Sequence, residues 1–180
     1  MAPFQAVLNF WFEELKPAQW WRKDRDVDHT IVSRFGELHR AAARGELYLW
    51  RYQSLGRLAE IIILDQFSRN IYRDSPLAFA QDSMALALAQ EAIALHADQD
   101  VIGRQKAFFY MPFMHSESPL IHQLSIALFS APGLEDNLRS AHQHKTIIDR
   151  FGRFPHRNKI LARNSTTEEL SFLEHKNAAS

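Results

Sequence analysis

Cysteine is absent from the 180-residue chain, which removes disulfides, thiolate zinc sites and cysteine nucleophiles from consideration. Glycine and proline are scarce, at six and seven residues. A turn-rich all-β fold, whose hairpins depend on them, is thereby excluded. Neither sign of charge dominates, with 21 Lys and Arg against 21 Asp and Glu, so no bulk attraction to nucleic acid or membrane is expected. No apolar run approaches the roughly eighteen residues of a membrane span. The opening Met1-Ala2-Pro3-Phe4 has no basic region followed by an apolar one, so no signal peptide is expected and the chain reads as cytoplasmic. Neither G-x-G-x-x-G, nor a G-K-[ST] ending, nor H-E-x-x-H occurs, and no cofactor or metal is expected. His142 and His144 point to different faces of a helix, which is poor metal geometry.

What remains is an ordinary globular balance, 46% apolar and 23% charged, with thirteen Phe and four Trp to fill a core. Apolar spacing predicts helices almost throughout. Phe4, Val7, Leu8, Trp11 and Leu15 form one stripe behind Pro3, which suits a first helical position. Val27, Ile31, Phe35, Leu38 and Ala42 form a second, ending near Gly45. Ser54 and Ser75-Pro76 read as the starts of the third and fourth helices, and Val101 to Met111 as a fifth stopped by Pro112. Ser118-Pro119 opens a sixth. Leu134 to Phe151 is the seventh, ended by Gly152. Ser165-Thr166-Thr167-Glu168-Glu169 offers overlapping capping boxes for the last. The expectation is a single all-α domain over residues 1–175, with roughly seven or eight helices packed as antiparallel pairs. Lys176 to Ser180 should fray.

Three polar stretches interrupt the apolar pattern. In the first, Ile61-Ile62-Ile63-Leu64 is apolar all round, yet the stripe continues into Asp65 and Arg69, an i, i+4 pair in the favourable order, with Asn70 and Arg73 following. These residues form either a structural ion pair or one wall of a polar pocket. In the second, seven large apolar or proline residues from Phe108 precede His115-Ser116-Glu117. In a turn, His115 and Glu117 could converge as a general base and its orienter, or as metal ligands; the alternative is helix capping and backbone bonding. In the third, residues 139–163 carry seven Lys or Arg, one acid and three His. Arg150, Arg153, His156, Arg157 and Asn158 crowd its end, and His144 shares the apolar face of the preceding helix. An arginine there could grip a carboxylate or phosphate through two parallel hydrogen bonds, or the block could be an internal ion-pair network.

These same stretches, Leu64-Asp65-Gln66-Phe67-Ser68-Arg69-Asn70, Met111 to Glu117 and Arg150 to Asn158, resemble the signature blocks of the bacterial family of unknown function DUF924. Asn9-Phe10-Trp11-Phe12, Trp20-Trp21 and the Ser165–Glu169 box fit the same pattern. The resemblance spans essentially the whole chain and implies a TPR-like, right-handed superhelical arrangement; it implies no activity. Ser68 stands where the pattern has proline, Ser118 where it has an acid, and Ala162 where it has glycine.

Two functions follow as expectations. One is a binding module whose Asp65, Arg69, Asn70, Arg73, His144, Arg150, Arg153, His156, Arg157 and Asn158 receive an anionic small molecule or an acidic peptide. The alternative is a hydrolase with His115 and Glu117 in acid–base or metal-assisted chemistry. Nucleic acid is not an expected partner, because the aromatic residues of the basic block, Phe151 and Phe154, read as core anchors.

Overall fold

The structure, a computed structural model, describes residues 3–178, with side chains described as far as His175. The expected fraying from Lys176 onward falls on side chains, and at residues 179–180 on backbone, that lie outside the described residues. The protein is all-helical, with no strand among the described residues. Its packing divides it into two compact units, the first formed by Met1–Arg73 and Leu77–Pro112, the second by Asp74–Pro76 and Phe113–Ser180.

The first unit opens with α1 (Phe4–Asn9), which runs on as a π-helical turn over Phe10–Glu14. Helix α2 (Arg25–Ala43) is capped by Asp24, whose carboxylate accepts from the backbone N–H of Asp26 and Val27. Helix α3 (Ser54–Ile62) passes into a second π turn, Ile63–Phe67, and then into α4 (Ser68–Ile71). Helix α5 (Asp82–Ala94) and most of α6 (Arg104–His115) complete the unit. α1 packs on α3, α2 on α4, and α3 on α5. The centre is aromatic. Trp11 is almost fully buried, with Phe67 and Phe108 each meeting it edge-on at 5.6 Å between ring centroids; such tilted pairs add to the gain from burial itself.

The second unit contains α7 (Pro119–Phe129), α8 (Glu135–Phe151), a 3₁₀ turn at Pro155–Arg157 and α9 (Thr167–Ala178). α7 and α8 are packed against each other. Ser118 caps α7 with Pro119 at its first position, as the Ser-Pro pair predicts; a serine fills the capping role that an acid would fill equally well. Gly152 ends α8 in the left-handed conformation, with φ +69°.

Several helix boundaries depart from expectation. Pro3 is the cap of α1 rather than its first residue. Ser54 is the first residue of α3, its hydroxyl directed to Asp100 at 2.5 Å instead of to the backbone. Pro76 starts only a 3₁₀ turn, Pro76–Phe79, and α5 begins at Asp82. Pro112 does not stop α6, which continues to His115. A proline inside a helix removes one hydrogen bond and costs about 3 kcal/mol. Here Phe108, Phe109, Tyr110, Met111, Phe113 and Met114 are all buried, and side chains of that size contribute about 2 kcal/mol each, enough to hold the helix through the proline.

Candidate functional site

In the first unit the sequence-predicted cations are taken up by acids of that unit. Arg69, on α4, spans the two carboxylate oxygens of Asp82 at 2.8 and 3.0 Å and donates to the backbone carbonyl of Asp65 at 2.7 Å. The expected i, i+4 pair with the Asp65 carboxylate is present at 3.5 Å. Burial works against the Arg69 charge, but Asp65 and Asp82 outweigh it and hold the guanidinium firmly protonated. Asn70 and Arg73 both converge on Asp28 of α2. The block therefore ties α4 and the turn after it to α2 and α5.

The second unit assembles the other two stretches. Glu117 accepts from both terminal nitrogens of Arg163, at 2.7 and 2.9 Å, and from the backbone N–H of Phe154 at 2.7 Å. Burial alone would raise the Glu117 carboxyl. The hydrogen bonds from Arg163 and Phe154, with the fields of Arg163 and Arg157, prevail and leave it below its ordinary range. Arg163 also reaches Asn158 and the Phe154 carbonyl. Arg153 grips Glu169 through two bonds, at 2.7 and 2.9 Å. Glu169 accepts besides from the Thr166 backbone N–H and from Asn158, and these partners, Arg153 above all, bring its pKa down to about 2. Arg150 pairs with Glu168 at 2.8 Å. Arg157, buried, donates to the His115 carbonyl at 3.0 Å and lies over the Phe154 ring at 4.7 Å. The fork that arginine could present to an anionic ligand is thus presented, at Arg153 and Arg163, to Glu169 and Glu117.

Histidines surround the same loop. The rings of His122, His144 and His156 lie 6.0, 5.6 and 5.4 Å from the Phe154 ring. His144 and His156 continue outward into a groove of about 540 Å³, which His175 and Phe172 of α9 also line, together with Gln143, Thr146 and Ile147 of α8. His144 donates from Nδ1 to the Ser140 carbonyl at 2.7 Å, and His175 from Nδ1 to the Ser171 carbonyl at 2.6 Å. In each the four-residue step fixes the ring against its own helix and turns Nε2 away from it. No group of three His, Asp or Glu among the described residues is arranged to hold a metal ion.

His175, Glu169 as an acceptor, Arg163 as a partner of Glu117, and the fully buried His122 and Ser125 were not readable as site residues. His122 donates from Nε2 to the Ser116 carbonyl at 2.7 Å, and burial lowers its pKa. The helical period places His122 and Ser125 on one face, but it does not tell which face meets Phe154. The capping-box reading of Glu169 holds, since the Glu169 N–H is bonded to Thr166 Oγ1 at 3.2 Å. Its carboxylate carries the second task.

Comparison with known proteins agrees with this architecture. The sequence profile of the bacterial proteins of unknown function DUF924 matches residues 7–177. A protein of unknown function from Agrobacterium tumefaciens, solved experimentally, is 39% identical and superposes with a TM-score of 0.90, over 96% of this chain and 97% of that one. No curated protein matches.

Proposed function

The chain belongs to the bacterial DUF924 family, whose description names no reaction, and on that premise we propose that it is a binding module for a small organic anion with an apolar body. The observation that carries the reading is the groove of about 540 Å³ in the second unit, where His144, His156 and His175 stand beside Phe172 and Ile147. An apolar floor with a few polar groups is what a small-molecule site requires. An imidazole whose Nδ1–H is taken by a backbone carbonyl meets a carboxylate in its charged form, donating from Nε2. The role expected for Arg150, Arg153 and Arg157 moves to the groove histidines, because acids of α9 and backbone carbonyls already engage those arginines. The TPR-like arrangement that the family resemblance implies would favour a binding role by analogy of fold.

The hydrolase alternative has less to draw on. Glu117, the expected orienter of His115, accepts three hydrogen bonds from Arg163 and the Phe154 N–H, the pattern of a carboxylate that anchors the loop.

The test is a titration of the full chain with benzoate, inorganic phosphate and an acidic peptide at low salt, read by NMR. Benzoate should perturb His156, His175 and Phe172, and the double variant His156→Ala/His175→Ala should weaken it by about tenfold, the worth of one or two polar contacts. Response to the peptide alone would replace the ligand class, and response to none of the three would defeat the proposal.

A further inference from the structure

In the first unit, the chain between α2 and α3 forms a 3₁₀ turn, Tyr48–Tyr52. Three residues complete each turn of such a helix, so side chains three apart share a face. Leu47 is buried, and Trp50, three residues on, meets the Phe4 ring edge-on at 6.0 Å. Arg51 is committed as well, gripping the buried carboxylate of Glu60 at 2.8 and 2.7 Å. The remaining face belongs to Leu49 and Tyr52, 59% and 83% exposed, with Tyr48 beside them at 56%. Leu55, on the first turn of α3, and Ile102, 83% exposed, flank the hydrogen bond that Ser54 donates to Asp100 at 2.5 Å. That bond brings the second stretch of chain alongside the first. The turn is also held in place, because its Trp50 carbonyl lies so close to Gly56 that a Cβ there would be 2.2 Å away. A surface fixed before contact loses little freedom on binding.

Together these five side chains leave roughly 500 Å² open to water, at the upper end of what a monomer tolerates. A standard interface buries about 800 Å² on each partner, roughly 60% of it apolar. This face therefore supplies the whole apolar share of one. Over residues 48–55 and 100–102 the charged residues are Arg51 and Asp100, the first turned to Glu60 and the second accepting from Ser54. A partner selected by charge has little here to recognise, and no cation is offered to an anionic membrane. A second copy of the chain needs no such mark. Pairing about a two-fold axis sets the patch against itself, and a tyrosine hydroxyl, being both donor and acceptor, is complementary to its own kind. We propose that this face is the interface of a two-fold dimer of the chain, with Leu49, Tyr52 and Ile102 at its centre and the tyrosine hydroxyls paired across it. The surface belongs to the first unit and does not depend on the reading given for the groove of the second.

The experiment is sedimentation of the full chain over a concentration series. The dimer should predominate at about 100 µM, since interfaces of standard size reach micromolar affinity or better. Tyr52→Lys and Ile102→Lys, made separately, each place a charge where it must meet its own copy, and each should raise the dimer dissociation constant at least tenfold. Both positions face water, so the melting temperature of the dilute protein should not change. Leu124→Lys, on the exposed side of α7, should leave the dimer as it is. A chain that stays monomeric throughout the series overturns the proposal. So does a dimer that survives both lysine variants, or one lost in Leu124→Lys instead. A monomer that sediments with phosphatidylcholine vesicles, and ceases to in Tyr52→Lys, overturns it too by assigning the face to a lipid surface.

Discussion

Ala162 has φ +52°, in the left-handed region where a Cβ costs about 1–2 kcal/mol. It is also the position at which the family pattern has glycine, so the resemblance marked a backbone requirement before the backbone was known. Ala162→Gly should therefore raise stability, by about 1 kcal/mol once the greater freedom of an unfolded glycine is deducted, and chemical denaturation will measure it. Gly56 presents the opposite case. A Cβ there would lie 2.2 Å from the Trp50 carbonyl oxygen, a backbone atom that cannot swing aside. Gly56→Ala should destabilise the protein by about 2 kcal/mol or more despite the better helix propensity of alanine, visible as a lower melting temperature. Nothing in the local sequence signals that need, because it comes from the 3₁₀ turn Tyr48–Tyr52 passing against α3. Ser68 is a third kind of position: its hydroxyl bridges His39 and the Leu64 carbonyl, a link that proline could not make.

Among elements, the start of α9 shows one short motif serving two purposes. Thr166 and Glu169 close a capping box, while the Glu169 carboxylate anchors Arg153 and Asn158 of the preceding loop. Its pKa of about 2 in the folded state lies below the ordinary value of 4.5. A depressed carboxyl contributes stability that is complete above its unfolded value and disappears as the pH falls through the folded one. Unfolding free energy should accordingly decline between about pH 4.5 and pH 2, and Glu169→Gln should flatten that limb while lowering stability at neutral pH. A denaturant series across this range checks both. At α6, the apolar run that predicted burial was correct and the stop at Pro112 was not, since a proline rule concerns one hydrogen bond and the helix is held by six buried side chains around it.

For the whole molecule, charge offers the sharpest expectation. Residues 139–163 carry seven basic residues and one acid, which in isolation would resemble a polyanion site. In the fold, Arg150, Arg153 and Arg163 face Glu168, Glu169 and Glu117. Counterion release on binding nucleic acid needs cations available to phosphate, so the protein should not be retained by heparin or nucleic acid at physiological salt. Retention in a salt-gradient elution would contradict that. No helix among the described residues is long and apolar enough to cross a membrane.

Helical class, most of the apolar stripes and the caps at Ser118, Gly152 and Thr166 were fixed by the chain alone, because period, capping and left-handed turns depend on neighbours within a few residues. The i, i+4 contact of Asp65 with Arg69 was legible for the same reason. The acids that engage the arginines, at Asp28, Asp82, Glu117 and Glu169, were settled only by folding, since each depends on side chains brought from distant positions. Electrostatic pairing acts through space and leaves no periodic trace along the sequence, so the basic block could be counted there but its partners could not be named.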